Sequence, residues 1–132
     1  MTVTTFTPDE ANALLDELRP LVERMVEAKR FLDEAQGRSD EAARRISGNG
    51  GGMPPAELGE LHEEVERQAT ELATAVDEIH ELGVIVKDFD SGLVDFPSIR
   101  DGEEVLLCWR LGEDEVGFWH GLEDGFAGRR PL

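Results

Sequence analysis

Residues 78–89 read "EIHELGVIVKDF", and a change of period inside them decides the fold. Up to Leu82 apolar residues recur every three or four positions, the spacing of a helix face. Beyond Gly83 the period drops to two, the spacing of a strand. Gly83 itself stands where a helix C-terminus favours a residue free to turn left-handed. The 132-residue chain is therefore expected to form a single α+β domain: a long antiparallel helical hairpin, then a small antiparallel sheet of two β-hairpins.

Working upstream, Leu58, Leu61, Val65, Leu72 and Ile79 lie on one stripe of a helix over residues 55–82, widened by Ala69 and Val76. Residues 48–54 are glycine-rich and end in prolines, which marks a hairpin tip; the lysine and Ser/Thr of a phosphate-binding loop are absent. The first helix is expected over residues 7–47. Thr7 and Glu10 have capping-box spacing, and Pro8 suits the first helical position. Leu14, Leu18, Leu21, Met25, Ala28, Leu32 and Ala35 then follow a four-three spacing that continues through Ser39, Ala42 and Ile46, a coiled-coil-like seam. Pro20 interrupts this seam without shifting its phase, which predicts a kink, not a break. One partner helix cannot cover so long a stripe, so a homodimer through the helices is expected.

Downstream, residues 84–120 read as two β-hairpins, with turns at Asp90-Ser91-Gly92, at Asp101-Gly102 and at the "GED" of residues 112–114. Residues 3–6 are a further short strand that could join the sheet. Residues 121–132 form a folded tail whose Phe126 and Arg129 pack onto it.

The formal net charge is −17, and both halves are acidic: nineteen acids against eight bases through residue 83, eleven against five after it. That balance opposes binding to nucleic acid or anionic lipid. A single cysteine, Cys108, rules out an internal disulfide, and no apolar run approaches a membrane span; a cytoplasmic protein is expected.

Candidate chemistry gathers in the last third. With the loop at Glu113-Asp114, Trp109 faces Phe118 and Leu107 faces His120, while Cys108 faces Trp119 on the opposite side. His120 then sits among aromatics at a strand end, either as a half-buried histidine bonded to backbone or as a general base or metal ligand. Glu123 and Asp124 follow closely, so His120, Glu123 and Asp124 are the metal candidates, for a divalent ion. Asp77 and His80 have metal-site spacing on the second helix but lack a companion motif. His62, among glutamates, reads as a solvated face. Lys87 and Asp95 come opposite each other across the first turn, as an ion pair or with Asp95 as a ligand. Cys108 reads as a small buried residue; a nucleophilic role needs a base, and this register puts His120 on the other face. Arg129 has two readings, a grip on an anionic ligand or on an acid of the protein itself.

At "FTPDEANALLDELRP", "GLVDFP", "LCWRLGEDEVGFWH" and "GFAGRRPL" the chain resembles an uncharacterised bacterial family, domain of unknown function 2203, over essentially its whole length. That resemblance implies architecture and a polar signature, here Asp95, Trp109, Glu113, Trp119, His120 and Arg129, but no activity. Two functional classes fit these residues. The first is a non-enzymatic dimeric interaction module without a cofactor; the second is a small-ligand or metal-dependent enzyme, a hydrolase among the options, centred on His120.

Overall fold

A computed structural model describes residues 4–49 and 54–132. Helix α1 (Pro8–Asn49) and helix α2 (Pro55–Glu81) form the hairpin. Five strands follow: β1 (Ile85–Asp88), β2 (Leu93–Arg100), β3 (Glu103–Arg110), β4 (Phe118–Gly121) and β5 (Arg130–Pro131), with a 3₁₀ turn at Phe126–Gly128 before the last. The sheet is an antiparallel meander in the order β1-β2-β3-β4-β5. The expected α+β architecture is present, with one strand more than the two hairpins require.

Local chemistry accounts for the boundaries. The Thr7 backbone N–H donates to Glu10 Oε1 at 2.9 Å, and the Glu10 N–H donates to Thr7 Oγ1 at 3.1 Å, so the capping box forms. The helix assignment runs unbroken through Pro20. Asp101 and Gly102 both take positive φ, 53° and 81°, the conformation a two-residue hairpin turn between β2 and β3 demands. The expected strand over residues 3–6 begins at a residue outside the described set, and Thr4–Phe6 adopt no strand. Phe6 is nonetheless tied to β2: its N–H donates to the Pro97 carbonyl at 2.8 Å, and Ser98 Oγ donates to the Phe6 carbonyl at 2.6 Å. The glycine-rich tip falls largely on residues 50–53, outside the described residues.

One face of the sheet packs on the base of the hairpin. Val94, Phe96, Leu107 and Trp109 meet Ala11, Leu15, Leu18, Val22 and Met25 of α1 and Ala75 and Ile79 of α2 in a single buried core. Beyond Val26 on α1, and before Leu72 on α2, the two helices continue as an arm whose residues take no part in that core.

The β1–β2 turn is pressed against α1. At Gly92, φ is +71°, and a Cβ would lie 2.9 Å from both Leu111 Cβ and Val22 Cγ1. Left-handed backbone and overpacking together make Gly92→Ala cost about 2–4 kcal/mol. Chemical denaturation of the variant measures this. A loss below 0.5 kcal/mol, the scale of an ordinary surface change, would mean the turn does not dock there.

Candidate functional site

The face of the sheet turned away from the helices is buried at its middle, where three strands bring polar side chains together. Asp95 of β2 pairs directly with Cys108 of β3, and His120 of β4 pairs with Leu106, the next β3 residue on that same face. Asp95, Cys108 and His120 are 1%, 0% and 2% exposed. The C-terminal tail borders them. Its Leu122, Glu123 and Phe126, with Lys87 and Leu93 from the sheet edge, ring a cleft of about 210 Å³ bordered by Asp95 and His120.

This placement corrects the expected register. The loop between β3 and β4 is not a three-residue turn but spans residues 111–117, and Cys108 pairs with Phe118, Leu107 with Trp119 and Leu106 with His120. A slip of one residue exchanges the faces. His120 therefore leaves the Leu107–Trp109 side for that of Cys108, and Trp119 packs against the core instead. The cause is a set of loop bonds that no strand pattern encodes. Asn12 of α1 clasps Val116: its Oδ1 accepts the Val116 N–H at 2.7 Å and its Nδ2 donates to the Val116 carbonyl at 3.3 Å. Trp109 Nε1–H donates to the Glu113 carbonyl at 3.0 Å, and Glu113 Oε1 accepts the Arg110 N–H at 2.8 Å.

Lys87 also departs from expectation. Asp95 pairs with Ile85, and an irregularity between Val86 and Asp88 leaves Lys87 without a cross-strand partner. Lys87 remains on the cleft wall, near enough for its charge to favour the Asp95 carboxylate.

Hydrogen bonding assigns the protons of the cluster. His120 Nδ1 lies 2.8 Å from the Gly121 carbonyl, which can only accept, so Nδ1 carries a hydrogen. Nε2 then faces Asp95 Oδ1 at 3.1 Å, and one proton is shared between them. Imidazolium with carboxylate and imidazole with carboxylic acid both satisfy this, and both are neutral as a pair. Burial pushes the Asp95 carboxyl above its ordinary value, with the charge of His120 opposing.

Burial, seconded by the Asp95 charge, pushes the Cys108 thiol up to about 12. That favours the thiol over the thiolate, while the expectation that His120 lies on the face opposite Cys108 is corrected: the two share one face. Labelling of Cys108 by a thiol reagent in native protein is accordingly expected to proceed only through opening of the tail, and to accelerate in denaturant. Labelling as fast as a free thiol would contradict that closure.

The remaining candidates assemble into a neighbouring lock. Arg129 Nη2 donates to Glu113 Oε2 at 2.5 Å, so its partner is an acid of the protein itself. The guanidinium lies 3.7 Å from the Phe118 ring centroid and 4.7 Å from that of Phe126. Asp124 serves the tail's own backbone: Oδ2 accepts the Gly121 N–H at 3.1 Å, and a Cβ at Gly121 or Gly128 would come within 2.7 Å of its side chain. Glu123 lies on the cleft wall. Trp109 is wholly buried, and Trp119 is flanked by Arg100 and Arg130. On α2, His80 accepts the Val86 N–H at 3.4 Å, and His62 is exposed.

The convergence of Asp95, Cys108 and His120 could have been found from alternation alone. Val94, Phe96, Leu107 and Trp109 all point to the core, which puts Asp95 and Cys108 outward; adding Trp119 to that inward set brings His120 to them. With this geometry, the chain belongs to a family of conserved proteins, uncharacterized and named domain of unknown function 2203, whose model matches residues 4–132. No curated protein and no solved structure matches it.

Proposed function

We propose that this protein is a non-enzymatic interaction module that dimerises through its helical arms. The observation that carries this reading is the incomplete cover of the arm. On α1 beyond Met25 the buried apolar or small positions are Ala28, Ala35, Ser39 and Ala42. The large side chains Phe31, Leu32, Leu58, Leu61 and Val65 remain partly exposed, and Ile46 is 38% exposed. A second copy laid on this stripe would complete a four-helix bundle.

Charge argues for that occupant. Residues 28–49 carry five bases and four acids, whereas residues 55–71 carry six acids and one base. In a two-fold arrangement, α1 of one copy can lie against α2 of the other, setting the nearly neutral segment, net +1, on the acidic one, net −5, and not acid on acid. The net charge of −17 on each copy works against association. Moderate salt that screens this long-range repulsion should therefore tighten the dimer.

The head of the molecule supports the same reading. Its polar cluster is internally paired and closed over, and the adjacent cleft of about 210 Å³ is smaller than the ~300–1,000 Å³ usual for ligand pockets. No helix among the described residues is long and apolar enough to cross a membrane. Sedimentation equilibrium at micromolar concentration is expected to give twice the chain mass, and Ile46→Asp to weaken association by about tenfold or more, the equivalent of ~1.4 kcal/mol. A compact monomer at those concentrations would reject the proposal.

A further inference from the structure

We infer that Asp95, Cys108 and His120 form a binding site for a divalent transition metal of the zinc class. One ligand atom from each lies within 4.8 Å of the others, and no other such group of three occurs among the described residues. The three come from adjacent strands and share one face, so the backbone ladder holds their relative positions. This donor set replaces the one that spacing suggested: Asp124 is tied to the Gly121 N–H, and the partners presented to His120 are Asp95 and Cys108.

The tautomer is the one a metal requires. With Nδ1–H donating to the Gly121 carbonyl, Nε2 is the nitrogen turned to the cluster and offers its lone pair once the proton shared with Asp95 leaves, the arrangement in which a backbone acceptor orients a ligating imidazole. Charge closes as well. The 3.1 Å hydrogen bond between Asp95 Oδ1 and His120 Nε2 holds one exchangeable proton, and the free Cys108 thiol holds another. Loss of both leaves a carboxylate, a thiolate and a neutral imidazole, whose two negative charges a divalent cation cancels. Two protons exchange for one ion, and the buried net charge is unchanged. Sulfur, nitrogen and oxygen donors together suit zinc or cobalt and disfavour magnesium and calcium.

Size imposes a modest adjustment. Tetrahedral zinc bonds set ligand atoms about 3.5 Å apart. The Asp95–His120 separation of 3.1 Å is already that short, and the widest separation, within 4.8 Å, must close by roughly 1 Å. The cleft reaching Asp95 and His120, with Glu123 on its wall, leaves room for a fourth ligand.

The test is a titration of untagged, chelator-stripped protein with cobalt(II) alone. The expected result is one equivalent bound, with intense ligand-field bands of four-coordinate cobalt, a thiolate-to-cobalt charge-transfer band, and two protons released per ion. Because Cys108 is the only cysteine, that band can arise nowhere else. Cys108→Ser, close to isosteric, should keep the fold and lose the band; Asp95→Asn should keep the fold and bind cobalt more weakly. Zinc should displace the cobalt. Ligand-field bands without charge transfer in the wild-type protein would place the metal at surface carboxylates or at His62 and His80, and would overturn the site, as would no binding. The Ile46→Asp monomer is expected to bind cobalt as the wild type does, so failure of the metal site and failure of the dimer are read separately.

Discussion

Asp95→Ala is expected to cost the metal-free protein about 3–5 kcal/mol, and Asp95→Asn only about 1 kcal/mol. The contrast follows from the proton assignment. With Nδ1–H committed to the Gly121 carbonyl, Nε2 of His120 needs a partner across the 3.1 Å contact. Alanine leaves that nitrogen unpaired in a site where the histidine is 2% exposed, and opens a void beside it. Asparagine keeps the shape, donates an amide N–H to Nε2, and still offers an oxygen to the Cys108 thiol. Urea denaturation of the chelator-treated proteins separates the two. Equal losses would show that Nε2 does not take its partner from residue 95.

Trp109→Ala is expected to cost about 3–5 kcal/mol, and Trp109→Phe about 1–2 kcal/mol. Trp109 is fully buried in the main core, and its ring also lies 5.8 Å beneath the Arg19 guanidinium of α1. Its Nε1–H holds the Glu113 carbonyl, and the Glu113 side chain holds both the Arg110 backbone and Arg129. Phenylalanine retains most of the packing and loses the bond; alanine loses both and leaves a cavity. The damage should extend beyond the core, because Glu113 anchors the tail. In Trp109→Ala, hydrogen exchange at the Arg129 amide should speed up more than at the α2 amides. Uniform acceleration would mean that the loop and the tail are not coupled through Glu113.

What the sequence discloses about this molecule divides by the range of the physics involved. The break at Gly83, the Thr7–Glu10 capping box and the Asp101-Gly102 turn depend on neighbours within a few residues, and each forms as its local pattern implies. The 111–117 loop depends on Asn12, 104 residues away from Val116, and periodicity cannot see that bond. Missing it shifts β4 by one residue and puts His120 on the wrong face. The Lys87 irregularity is a similar case: a pairing offset at the β1–β2 turn, with Gly92 wedged against α1, overrides simple counting from the turn. Strand β5 is two residues long and has no pattern of its own; its pairing with Phe118 and Trp119 exists because the tail folds back. Arg129 shows the middle ground, since its residue type announced a bidentate grip while only the fold could name Glu113 as its partner.

Distances between spin labels test the proposed meeting of two copies through their arms. A nitroxide attached at Arg45→Cys, an exposed position on the arm, leaves buried Cys108 unlabelled. Pulsed dipolar spectroscopy on this singly labelled protein can report only a separation between copies. Arm-to-arm pairing predicts a defined distance distribution that disappears when Ile46→Asp is added. A featureless background decay, or a defined distance unaffected by Ile46→Asp, would contradict it.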